Sequence, residues 1–341
     1  MVTNDKKIND LFLFWLIFSL ALVFFIILIG GLTRLTNSGL SIIEWELISG
    51  ILPPFSQSSW EFYFDQYKTI PQYKLINYNM SLKEFKIIFY WEYFHRTLAR
   101  LIGIFFLVPL IFFYFTKKIN KTYINACFII LSLIILQGVV GWYMVKSGLT
   151  QDVTVSHYRL SIHLIIAFII ISILFWVIKN FKIKKNKSFF NLSQKNLPFL
   201  FLIFFIFLQI IFGAFVSGLD AGKIYQTWPK MGSSYVPNDF NMANLNEVIN
   251  FNNHSLVQFY HRNLAYFIVI YILILSYYIY NKNLDTLFTP LKVLFSILLL
   301  QIILGILTLV SGLNIYLASA HQISSVLLVF SAINLYYFRA K

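Results

Sequence analysis

Acidic residues are scarce in this chain: 13 Asp and Glu among 341 residues, against 27 Lys and Arg. Charge of either sign makes up 12% of the sequence and hydrophobic residues 59%, with a mean hydropathy of +0.73. A water-soluble globule carries about 25% charged residues, so that class is excluded. Cysteine occurs once, as Cys127, which excludes an intramolecular disulfide. No Cys-x-x-Cys or His-x-x-x-His is present, which argues against zinc. The first apolar run follows Lys6 and Lys7 but is too long for a cleaved signal and lacks a small-x-small cleavage site. No leader rich in Arg and Ser precedes it, so the expectation is a retained anchor in a bacterial inner membrane.

What the sequence does contain is long apolar runs. Eight reach the ~20 residues a bilayer core requires: roughly 12–33, 91–115, 122–145, 156–178, 198–218, 257–280, 291–311 and 315–338. Lipid offers no partner to an open backbone, so these must be helices. The predicted fold class is an all-α polytopic membrane protein of eight transmembrane helices arranged as two pseudo-symmetric four-helix bundles.

The net charge of +14 would suit a nucleic-acid binder, but its distribution argues for topology instead. Lysines cluster in the termini and even-numbered loops, most densely at Lys179, Lys182, Lys184, Lys185, Lys187 and Lys195, with Arg339 and Lys341 at the end. Most acids, among them Glu44, Glu46, Glu84, Glu92 and Asp152, fall in the other loops. The positive-inside rule then places both termini in the cytoplasm, and no nucleic-acid partner is expected.

The chain is also written twice. "EYFHRTLARLIGI" at 92 and "QFYHRNLAYFIVI" at 258 pair His95 with His261, Arg96 with Arg262 and Glu92 with Gln258. "LSIHLIIA" at 160 and "LASAHQIS" at 317 pair His163 with His321. In the outer loops Gly39 precedes Trp45 by six residues, as Gly222 precedes Trp228. Residues 1–190 form one copy and 191–341 the other, joined by the lysine-rich "NFKIKKNKSFFNLSQKN". Leu-Gln-x-x-x-Gly recurs at 136, 208 and 300, each running on to Ser-Gly-Leu; the glycines read as points of close helix packing.

All four repeated histidines enter their helices from the external side. Ionisable groups within a span are costly and are functional by default, and a filler residue has no reason to recur in both copies. Two imidazoles from facing helices can hold a heme iron axially, so each copy is expected to ligate one. His157 is a rival to His163, since an ungapped count from Ser-Gly-Leu aligns it with His321. Depth favours His163: it lies 16 residues before Lys179, His321 lies 18 before Arg339, and His157 lies 22 from Lys179. His254 has no counterpart and reads as surface. Arg96 and Arg262, with Arg100 and Arg159 near them, suit heme propionates, headgroup contact being the alternative. Glu92, one turn before a ligand where the other copy has an amide, is the candidate catalytic residue, with an i,i+4 ion pair to Arg96 as the structural alternative.

Several stretches resemble the heme A synthase family of alphaproteobacteria and mitochondria: "GGLTRLTNSGLSIIEW" at 30, "PQYKLINYNMSLKEFKIIFYWEYFHRTLARLIG" at 71, "YRLSIHL" at 158, "GLDAGKIYQTWPKMG" at 218 and "VQFYHR" at 257. The resemblance covers nearly the whole chain. It implies an oxidoreductase that converts heme O to heme A by successive hydroxylations of a ring methyl to a formyl group, for cytochrome oxidase. It implies His95 and His163 as ligands of the substrate heme, His261 and His321 as ligands of a resident heme b, and Glu92 as the functional glutamate. Heme O synthase, cytochrome oxidase assembly factors and a membrane electron donor are the implied partners; homo-oligomerisation stays open, as does the oxygen source. Some bacterial members carry a cysteine pair in the first outer loop, which this chain lacks. The alternative from the histidine count alone is a diheme b-type membrane electron carrier.

Overall fold

A computed structural model describes residues 2–44, 49–149, 153–239 and 244–340. Trp45, Glu46, Asp152 and Lys341, used in the repeat and charge arguments, lie outside the described residues. Among the described residues eight helices are long and apolar enough to cross a membrane, as expected of a multi-pass membrane protein. They are α1 (Val2–Leu35), α4 (Leu82–Thr116), α5 (Lys121–Gly148), α6 (His157–Ile183), α7 (Leu197–Gly218), α9 (His254–Asn281), α10 (Phe288–Val310) and α11 (Ile315–Arg339). Three short helices lie in the long loops: α2 (Gln57–Tyr67), α3 (Pro71–Leu75) and α8 (Leu245–Val248).

The chain forms two compact units, Met1–Ile170 and Ile171–Lys341. Packing and sequence repeat thus divide it at different places, because the second half of α6 packs on α11. There Trp176 stacks on Tyr336 with ring centres 5.5 Å apart, and Tyr337 donates to Asn180 Oδ1 at 3.1 Å. In the first unit α1 lies along α4, tied by Trp15 Nε1 donating to Phe105 O at 3.1 Å and Thr33 Oγ1 donating to Trp91 O at 3.3 Å. Each such bond removes a polar group from lipid, where an unpaired one is expensive.

Helix α4 begins at Leu82, nine residues before the apolar run that the sequence marks from 91. The reason is local. Ser81 caps Glu84 N and the Glu84 carboxylate accepts from Ser81 N at 2.8 Å, a reciprocal capping box. At 35 residues the helix is about 52 Å long, well beyond a ~30 Å hydrocarbon core. Its projecting first turns bury Phe85, Ile88 and Phe89 against Trp60, Phe64 and Tyr67 of α2, so a small aromatic core sits on the histidine-bearing end of the first unit.

Candidate functional site

Each of the four repeated histidines is held in the same way. His95 on α4, His163 on α6, His261 on α9 and His321 on α11 each press the ring edge onto a glycine of the spanning helix that precedes it in the chain. A methyl group built on Gly30, Gly141, Gly213 or Gly305 would sit 2.9, 2.9, 3.2 or 3.0 Å from the Cε1 of its histidine. At Gly30 and Gly141 that is closer than real Cβ atoms come, so the ring would have to move, and at Gly213 and Gly305 the ring would have to give by a few tenths of an ångström. These glycines are nests for imidazoles as well as packing points.

In the second unit the rings of His261 and His321 meet edge-on, with centres 6.5 Å apart and planes at 85°. Two imidazoles that each reach a shared metal at about 2 Å bring their ring centres to roughly 6 Å, so the pair fits axial ligation of one iron. In the first unit His95 and His163 lie within electrostatic reach of each other. The Nδ1 atoms of His95, His163 and His321 are buried without a hydrogen-bond partner. Among the described residues no group of three or more His, Cys, Asp or Glu could hold a bare ion. A metal held there by two imidazoles would take its remaining ligands from its own macrocycle, as a porphyrin iron does.

His157 occupies none of these nests. It opens α6, 6% exposed, with its ring 4.0 Å from that of Tyr158. His254 opens α9 and is exposed.

Glu92 is 2% exposed and accepts from four donors: Ser41 Oγ at 2.7 Å, Ile42 N at 2.9 Å, Arg96 Nε at 2.9 Å and Arg96 Nη2. Arg96 Nη2 also donates to Ile42 O at 2.8 Å. The i,i+4 ion pair is therefore present, and it fastens the first long loop at Ile42, three residues after Gly39. The second unit has the same fastening at Tyr225, three residues after Gly222. There Gln258 Nε2 and Arg262 Nη2 both donate to Tyr225 O at 2.9 Å, and Arg262 Nη1 donates to Thr227 O at 2.9 Å. The two units share the latch and differ in charge at its centre. Arg100 donates to Gly50 O at 3.3 Å, and Arg159 to Ser147 Oγ at 2.5 Å over the ring of Tyr143.

Sequence reasoning missed Ser41, the glycine nests, and Gln137, Gln209 and Gln301, whose side chains reach the histidine backbones. The thrice-repeated Leu-Gln-x-x-x-Gly was the available signal. A glycine in a membrane helix is most often a point of close packing, which hides this second role.

A family model described as cytochrome oxidase assembly protein (COX15-CtaA) matches residues 13–333. The chain belongs to that family. Within the COX15-CtaA family it is 50% identical over 335 residues to a heme A synthase of Pelagibacter ubique, covering 97% of this chain and 96% of that protein. It is 42% identical over 327 residues to a heme A synthase of Rickettsia felis, with 92% and 94% covered. A heme A synthase of the Wolbachia of Brugia malayi is 37% identical over 325 residues, with 95% of each chain covered. COX15-CtaA membership thus spans both units and all four histidine nests.

Proposed function

We propose that this protein is a heme A synthase that oxidises a ring methyl of heme O to a formyl group through successive hydroxylations. The observation that carries the reading is the adjacent His261 and His321 pair, set in the same kind of glycine nests that hold His95 and His163, in a chain 50% identical to a heme A synthase. The functional halves follow the sequence repeat. In residues 1–190 His95 and His163 take the iron of the substrate heme; in residues 191–341 His261 and His321 hold heme b.

Heme b supplies electron transfer when bound. The chain's own residues do the rest. The nests orient the imidazoles, and the apolar helices exclude water from the reacting edge. Glu92, fixed by four donors, places a carboxylate one turn from His95, where it would offset positive charge developing on the substrate. Arg96 and Arg262 keep the long loops latched and offer guanidinium groups to propionates. The protein lies in the bacterial inner membrane with both termini cytoplasmic and the histidine sites beneath the periplasmic face. It receives heme O from the preceding synthase, takes part with cytochrome oxidase assembly factors, and exchanges electrons with a membrane carrier.

Acid extraction and chromatography of the hemes that copurify with the protein test this. The expected result is heme b together with heme O or heme A, near one of each class per chain. Heme b alone, with no turnover of supplied heme O, would make the protein a diheme electron carrier instead.

A further inference from the structure

The repeated Leu-Gln-x-x-x-Gly stretches build a second layer around three of the four histidines. Gln137 Nε2 donates to His163 O, Gln209 Nε2 to His261 O and Gln301 Nε2 to His321 O, each at 3.0 Å. Gln209 Nε2 also lies 3.2 Å from His261 Nδ1, and Gln301 Nε2 donates at 2.7 Å to Ser324 Oγ. In each case the nesting glycine follows the glutamine by four residues, one helical turn. The amide therefore ties the ligand's backbone to the neighbouring helix while the glycine receives its ring. Helix α1 keeps the glycine, Gly30, but four residues before it stands Ile26. Among the described residues no side chain donates to the His95 carbonyl, and its helix is tied to α1 a turn away, through Thr33 and Trp91.

We propose that the three glutamines are positioning residues that fix the backbone carrying three of the imidazoles, and that His95, left without one, is the yielding ligand through which the substrate heme enters and leaves. The inference rests on the heme-ligation reading above. A resident cofactor must stay through every turnover, and both of its histidines have their carbonyls tied by a glutamine. A substrate must be released, and its site combines His163, whose carbonyl is tied by Gln137, with His95, whose carbonyl has no such bond among the described residues. A buried hydrogen bond of this kind changes an equilibrium by about fivefold, enough to decide which of two ligands lets go first.

The test is transfer of heme from the purified, detergent-solubilised full chain to excess apomyoglobin, with the ferric low-spin electron paramagnetic resonance signals recorded alongside. Wild type should lose heme in a fast phase from the first site and a slow phase from the second. Ile26→Gln should slow the fast phase about fivefold and leave the slow phase alone, whereas Gln301→Met, close in shape but without the donor, should speed the slow phase about fivefold and broaden that heme's signal. A folded Ile26→Gln protein with an unchanged or faster first phase overturns the proposal. If that variant is recovered without heme, Gln301→Met decides alone, and an unchanged slow phase and spectrum overturn it. Full heme b retention by His321→Ala would instead overturn the ligation reading on which the proposal stands.

Discussion

At the scale of single residues the proposed chemistry turns on Glu92 and its counterpart Gln258. Removing Glu92 altogether would take from Arg96 its carboxylate and leave Ser41 Oγ and Ile42 N without that acceptor, so Glu92→Ala confounds folding with function. Glu92→Gln is the informative change, because the amide keeps the size and one acceptor oxygen, and the second unit holds its latch with Gln258 beside Arg262 and no carboxylate. The latch should survive and the charge vanish. Expected is full heme content with heme A yield down about 10²-fold and heme O or its alcohol accumulating on chromatography; a wild-type yield of heme A would remove Glu92 from the chemistry. The position was legible in the sequence because duplication set a carboxylate against an amide at one aligned place. Its partners Ser41 and Ile42 were not, since a loop residue's approach to a helix leaves no periodic trace. The glutamines were present as a repeat, yet a Gln beside a Gly in an apolar helix does not announce which backbone it will meet.

At the scale of elements the spans were legible because a bilayer demands some 20 consecutive apolar residues, which nothing else in a chain requires. Helix α2 was not, being short and of balanced polarity; only Trp60, Phe64 and Tyr67, spaced to share one face, betray it. Its packing on α4 gives a pH-dependent test. Burial holds the Tyr67 phenol above its ordinary value of 10.0, outweighing the hydrogen bond from Asn77, while Tyr67 OH donates to Gln72 Oε1 at 2.9 Å. A group whose folded pKa is raised stabilises fully below its unfolded value and loses that contribution as pH climbs toward the folded one. The 57–81 segment should therefore resist proteolysis below pH 10 and open above it. Tyr67→Phe should lose about 1 kcal/mol of local stability below pH 10 and show no added loosening above it. Equal alkaline opening in the Phe variant would mean that another group controls the loop.

At the scale of the whole molecule, charge asymmetry orients a duplicated bundle. The segment from Lys179 to Lys195 holds six lysines, while the long loops carrying the latches hold most of the acids, and basic residues flanking spans stay on the cytoplasmic side. On the proposed ligation that assignment would set where heme is handled, since each nesting glycine lies in the last two turns of its helix. The native thiol offers an internal control: Cys127 is 0% exposed within α5 and should not react. Asn246 and Ser188 are exposed, in the second long loop and the lysine-rich segment respectively. In cells with a permeabilised outer membrane, Asn246→Cys should take up a membrane-impermeant maleimide at once, and Ser188→Cys only after the inner membrane is broken. The reverse pattern would turn the protein over and bring both histidine pairs to the cytoplasmic face. Heme O would then have to be received, and heme A delivered, on the side opposite to the one the lysines predict.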